Sequence, residues 1–114
     1  ENHLYGEMKI TEYSLIVLYM VRRILKLNEF IMKKLNSHCY TFNLKEVMTW
    51  MPELGTGSAA VCIKYFGHYL EEMPRQNKFS QAVYRIKTKP DLRCLKDLPS
   101  YLKSSDLETL YSAQ

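Results

Sequence analysis

The feature that most constrains this chain is an apolar repeat in its first third. Ile16, Met20, Ile24, Leu27 and Ile31 recur at spacings of three and four. A 3.6-residue period lines such positions up on one stripe, so the segment is predicted helical, from a cap at Thr11 to about Asn36. A second row, Leu18, Val21 and Leu25, makes the stripe wider than one small core needs and points to a second partner surface. Asn28 leaves open a break into two helices.

The next elements follow from local signals. His38 to Phe42 is polar, aromatic and β-tolerant, enough for one short strand. Asn43 followed three residues on by Glu46 is the capping-box arrangement, in which each side chain satisfies the other's orphan amide. The helix it opens has Leu44, Val47, Met48 and Met51 on its inner face and ends at Pro52. Trp50 falls off that face; the preferred expectation is that it covers the turn around Leu54, the alternative that it marks a contact surface. Residues 52–57 read as a turn, with Gly55 and Gly57 free to take positive φ. Ser58 is expected to cap a further helix running to about Met73 and stopping at Pro74.

Ala82, Tyr84 and Ile86 then alternate with Val83, Arg85 and Lys87 inside the stretch Phe79 to Thr88, predicting a half-buried strand with a basic outer face. Leu92, Leu95 and Leu98 lead into short helical pieces. The clearest starts at Ser105 with Glu108 as its capping acid, and its Leu107, Leu110 and Tyr111 need a surface to pack on.

Composition narrows the function classes. With 46% apolar and 25% charged residues the balance is that of a folded domain and not of a disordered chain. The net charge of +4 is mild, but its distribution is uneven. Between Pro74 and Lys96 seven bases (Arg75, Lys78, Arg85, Lys87, Lys89, Arg93, Lys96) face one acid, Asp91, so this stretch is net +6 and the remainder −2. A basic run of this kind is a candidate meeting surface for a polyanion. Cys39, Cys62 and Cys94 are odd in number and form no CxxC pair, which suits a reducing, intracellular compartment. Tyr13 to Val21 is too short to span a bilayer and lacks the basic front and cleavage site of a signal peptide. The chain begins at Glu1 and not at Met, as either a trimmed chain or a piece of a longer protein would.

No catalytic constellation is readable. Gly55 to Ala60 matches G-x-G-x-x-A, but a helix and a proline precede it where a dinucleotide site needs a strand. His38 and Cys39 are neighbours and lack a second ligand pair, so no metal is expected. Three scattered histidines do not make a nucleophile–base pair, and Glu71 and Glu72, adjacent on the predicted helix, point apart. The expectation is no enzyme, no cofactor and no metal.

The order helix, strand, helix, turn, helix, strand and helical tail resembles the winged helix-turn-helix family. The resemblance is densest from Thr41 to Thr88. Asn43-Leu44-Lys45-Glu46-Val47 looks like the family's second helix, Ser58 to Phe66 like its recognition helix, and Ala82 to Lys87 like the strand returning from the wing. The wing itself has two possible places, Pro74 to Ser80 or Thr88 to Leu92. What the resemblance implies is a mainly α fold with a small β-hairpin, an α+β winged helix-turn-helix in one domain over residues 1–114. Its parts are an N-terminal helical region 11–36, a core 41–88 and a helical tail 89–114.

It also implies binding to double-stranded DNA, as in a transcriptional regulator. Ala59, Cys62, Phe66, Tyr69 and Met73 would face the core, leaving Val61, Lys64, Tyr65 and His68 on a neighbouring stripe suited to a major groove. Thr56 and Ser58 lie at the positive end of the helix dipole, where free amides grip phosphate. Arg75, Lys78, Arg85 and Lys87 would hold phosphates alongside. A homodimer through the first helix would read two half-sites. The rival expectation is a winged-helix protein-interaction module or a subunit of a larger replication or transcription assembly. RNA binding has no stacking motif in its favour.

Overall fold

The computed structural model describes residues 2–113, with side chains described from Leu15 onward. Helix α1 (Asn2–Asn36) is one uninterrupted element of 35 residues. Thr11 therefore lies inside it and does not cap it, because the preceding Leu4, Glu7, Met8 and Lys9 are good helix formers with no proline among them. Asn28 does not break it either. Leu27 and Ile31, fully buried on either side, hold this turn by packing, which outweighs the weak helix propensity of asparagine.

Helix α1 closes with a Schellman motif. His38 takes the left-handed conformation at φ 56°, its amide donates to Leu35 O at 3.0 Å, and the Cys39 amide donates to Lys34 O at 2.9 Å. This hooked exit uses up 37–39, so strand β1 is Thr41–Asn43 and does not start at His38.

Helix α2 (Leu44–Trp50) begins with the capping box the sequence predicts. Asn43 Oδ1 accepts from the Glu46 amide, and Glu46 Oε2 accepts from the Asn43 amide, both at 2.8 Å. Glu46 also accepts from Lys34 Nζ through Oε1 at 2.8 Å, fastening the end of α1 to the start of α2. Trp50 does not cover the turn at Leu54. Its indole Nε1 donates to Lys26 O at 2.8 Å, and Lys33 Nζ stands 4.5 Å over the ring, so it clamps α2 to α1.

Helix α3 (Thr56–Tyr65) starts two residues before Ser58 and ends well before Met73. Gly55 is its N-cap in extended backbone, and among the described residues no glycine has positive φ. The turn before it closes through the Leu54 amide donating to Met51 O at 3.0 Å. The far end turns at Phe66 and Gly67, where a Cβ on Gly67 would lie 3.1 Å from both Lys64 O and Lys96 Cδ. Residues 66–69 are turns, and the chain then runs on as a strand because its amides and carbonyls find a better ladder. Strand β2 (Leu70–Glu72) pairs antiparallel with β3 (Val83–Ile86), with Glu71 opposite Arg85. Glu71 and Glu72 are thus strand residues.

β3 also pairs antiparallel with β1, giving the sheet order β1-β3-β2. The alternation read from the sequence holds in part: Ala82 and Ile86 are buried and Arg85 and Lys87 exposed, while Val83 and Tyr84 are both half-buried. Residues 73–82 form the loop of the β2–β3 hairpin, while 88–91 lead to a 3₁₀ turn (Leu92–Cys94).

The described residues thus form an α+β fold in which the helices and one face of the small sheet share a core. Phe42, Phe66, Ile24, Leu27, Val47, Met51 and Leu92 are among its fully buried side chains, and Ala59, Cys62 and Tyr69 face it as expected. Met73 is only half-buried. Helix α4 (Ser104–Tyr111) returns over α1 and places Leu110 in the same core. Its start is one residue earlier than predicted: Asp106, not Glu108, supplies the carboxylate, accepting from the Lys103 amide at 2.9 Å.

Candidate nucleic-acid interface

Burial divides the residues of α3 into two faces. Ala59, Cys62, Ile63 and Phe66 point inward, which leaves Thr56, Gly57, Val61 and Lys64 outward, with Ser58 and Ala60 half-buried between them. The outer stripe is small at its start and cationic at its end, so another backbone can approach it closely. Burial pushes the Cys62 thiol pKa up, opposed by the nearby Arg23 guanidinium, which suits a packing role.

Two residues expected on this stripe are elsewhere. Tyr65 leans against α1, its hydroxyl 3.9 Å from Met20 Sδ, and burial raises its pKa. His68 lies beyond the helix end, exposed, with its ring edge-to-face with Tyr69 at 6.3 Å. The cause is the early termination of α3, which removes the helical turn that would have carried His68 round to Lys64. Ser58 is likewise not a cap but the third helical residue. The first amides of α3 have no side-chain cap, because the N-cap residue, Gly55, carries no side chain.

The start of α3 and the hairpin loop border one open groove of about 570 Å³. Lys45 and Thr49 of α2, Thr56 of α3, and Arg75 and Phe79 of the loop line it, over a floor that includes Leu44, Met48 and Ala82. Thr56 Oγ1 is 3.8 Å from Met48 Sδ. Thr56 and Arg75 are therefore brought together, with Lys78 next to Phe79 at the loop tip.

Several of the expected cations are already engaged. Arg85 Nε donates to Glu71 Oε2 at 3.1 Å across the strand pair, and Arg75 Nη2 to Glu72 Oε1 at 3.2 Å. All four side chains are about half exposed, so these are weak, exchangeable pairs. Among the described residues Lys64 and Lys87 form no ion pair, and both are exposed. Arg85 is on the outer face of the sheet with Thr41 and Glu71, away from the face that carries Ile86 into the core.

Sequence reasoning missed Lys45 and Phe79. Lys45 sits inside the capping box sequence, where nothing marks it as facing a loop thirty residues away. Phe79 was expected to open the strand; it stands instead at the hairpin tip, 85% exposed. Its isolation between Lys78 and Ser80 in a polar run was the available signal.

The second surface foreseen on α1 is displaced. Val21 is 4% exposed and Leu25 packs against the core, so neither faces a partner. Of that row only Leu18 is exposed, as expected; Leu15, Ile16 and Tyr19 are exposed beside it, although Ile16 was expected in the core row. The buried row of α1 runs Val17, Met20, Val21, Ile24 and Leu27, so Ile16, Leu18 and Tyr19 fall on the neighbouring face.

Among the described residues no helix is long and apolar enough to cross a membrane. None of their His, Cys, Asp or Glu side chains gather in threes as a metal-ligand set. Compared with known proteins, the chain matches no family model, no curated protein and no solved structure.

Proposed function

We propose that this chain is a winged helix-turn-helix module that binds double-stranded DNA and acts inside the cell as a transcriptional regulator. The observation that carries the reading is the single groove bordered by the start of α3 and the β2–β3 loop, with Lys45, Thr56 and Arg75 on its walls. In this reading the loop 73–82 is the wing and β3 the strand returning from it. The face Gly57, Val61, Lys64 enters the major groove. Lys64 donates to guanine acceptors and Val61 touches a thymine methyl. Lys45, Arg75, Lys78 and Lys87 meet phosphates, which supply affinity without sequence information. Tyr65 has no part, and His68 contributes only from the flank.

A second copy of the chain fits the exposed apolar residues Leu15, Ile16, Leu18 and Tyr19 on α1, because a twofold pair would cover the same residues in both chains. The same residues favour the rival reading, a module docking on another protein.

Titrating salt against binding to a random duplex separates the two. Under the DNA reading, affinity falls log-linearly with salt, with a slope of about 0.9 per phosphate contacted. Lys64→Ala and Lys87→Ala each lower that slope by about one. Arg85→Ala lowers it less, because Glu71 already neutralises that guanidinium. Absence of duplex binding at low salt would leave the protein-docking reading in place.

A further inference from the structure

We propose that the hairpin tip is a minor-groove wedge, in which Phe79 inserts between two base pairs and kinks the duplex while Arg75 and Lys78 hold the flanking phosphates. This rests on the DNA reading above and adds to it a deformation step with a named residue.

The first observation is the ring itself. Phe79 is the most exposed of the large apolar side chains described, at 85%, and an exposed ring forfeits the stabilisation that burial would bring. The second is that the turn presenting it is built. The Phe79 amide donates to Asn77 Oδ1 at 2.9 Å and the Ser80 amide to Asn77 O at 3.2 Å, while Arg75 Nη1 reaches Ser80 O at 3.5 Å. These contacts fix the backbone on both sides of the ring and leave the ring outside.

The third is the setting. No acidic residue occurs from Met73 to Pro90. Lys78 Nζ lies 5.2 Å from the ring centroid, and Gln76 and Gln81 of the same loop are exposed amides. Cations and amides around one projecting apolar side chain are the combination with which proteins enter a minor groove and unstack a base step. Its chain neighbours, residues 74–78, 80 and 81, are polar, cationic or proline, and the apolar side chains near it, Leu44, Met48 and Ala82, belong to the floor of the groove that it borders. Phe79 also borders the groove that reaches the first residue of α3, so the wedge and the reading helix work from one side of the molecule.

The test uses the full chain and a short duplex with a central TA step, a flexible site for kinking. End-to-end energy transfer reads the bend, 2-aminopurine at the step reads unstacking, and anisotropy reads affinity. The wild type is expected to bend the duplex by at least about 20° and to raise 2-aminopurine emission. Phe79→Ala should abolish both and weaken binding by about tenfold, with the salt slope unchanged because no cation is lost. Phe79→Leu should keep most of the bend, since leucine also wedges. Lys78→Ala should keep the bend and lower the slope by about one. Phe79 is exposed, so its variants should melt as the wild type does.

Salt-dependent binding by a wild type that leaves the duplex straight would overturn the wedge and leave DNA binding standing. So would a Phe79→Ala variant that bends DNA as fully as the wild type. Loss of self-association in Phe79→Ala with the bend intact would assign the ring to a protein contact. No salt-dependent binding at all would overturn both readings together.

Discussion

Replacing Glu46 by glutamine should loosen the joint between α1 and α2. Its carboxylate accepts the Asn43 amide through one oxygen and the Lys34 ammonium through the other, both at 2.8 Å. Glutamine keeps an acceptor for the amide and removes the charge, so the substitution isolates the ion pair. The Lys34 and Glu46 side chains are 20% and 41% exposed, which leaves the pair partly screened by solvent. The expected cost is about 0.5–1 kcal/mol, the upper part of the range for exposed pairs. Glu46→Ala also removes the reciprocal cap and should cost about 1 kcal/mol more. For a chain of this size about 1 kcal/mol moves Tm by roughly 3–6 °C.

The pH dependence has a definite sign. The Lys34 hydrogen bond, helped by the Asn43 amide and opposed by burial, holds the Glu46 carboxyl below its usual range. A depressed folded pKa gives stability that is present above the unfolded value, about 4.3, and is lost as pH falls through the folded one. The same bond raises the Lys34 pKa, so that contribution is present below roughly 10.4 and is lost as pH rises through the folded value. The difference between wild type and Glu46→Gln should therefore be steady near neutrality and shrink toward pH 3. Urea unfolding followed by circular dichroism, with Lys34→Met completing a double-mutant cycle, measures it. Zero coupling in that cycle at pH 7, or an undiminished difference at pH 3, would refute the reasoning.

Other perturbations test other joints. Leu110→Ala removes a fully buried side chain and should cost about 2–5 kcal/mol in urea unfolding; a loss under about 1 kcal/mol would mean that α4 is not part of the cooperative core. Ile16→Glu and Tyr19→Glu should convert a dimer to folded monomers in sedimentation, with Tm falling only by the stabilisation that association had supplied, whereas Val21→Glu, at a buried position, should unfold the chain. A wild type already monomeric at roughly tens of micromolar would remove the dimer, since an interface too weak to form there falls short of a specific one.

What the sequence determined by itself is whatever a few neighbouring residues decide. The Asn43–Glu46 cap, the end of α2 near Pro52, the stripe of α1 from Met20 to Ile31 and the alternation around β3 all rest on contacts within about one helical turn or one strand. The outward positions of Thr56, Val61 and Lys64 were legible for the same reason. Tertiary structure decided the rest. Residues 66–73 carry a helical spacing, yet Leu70–Glu72 became a strand because β3, across a long loop, offered it a ladder. That pairing ended α3 early, took His68 off the groove face, and set Glu71 and Glu72 against Arg85 and Arg75. Periodicity likewise said that α1 has an apolar stripe, but which of its two adjoining rows is covered depends on the body packed against it, and Val17 is buried between the exposed Ile16 and Leu18. Hence Val21 is buried and Ile16 exposed. Backbone pairing and burial between segments far apart in the chain depend on how the whole molecule closes, and no local window of residues contains that information.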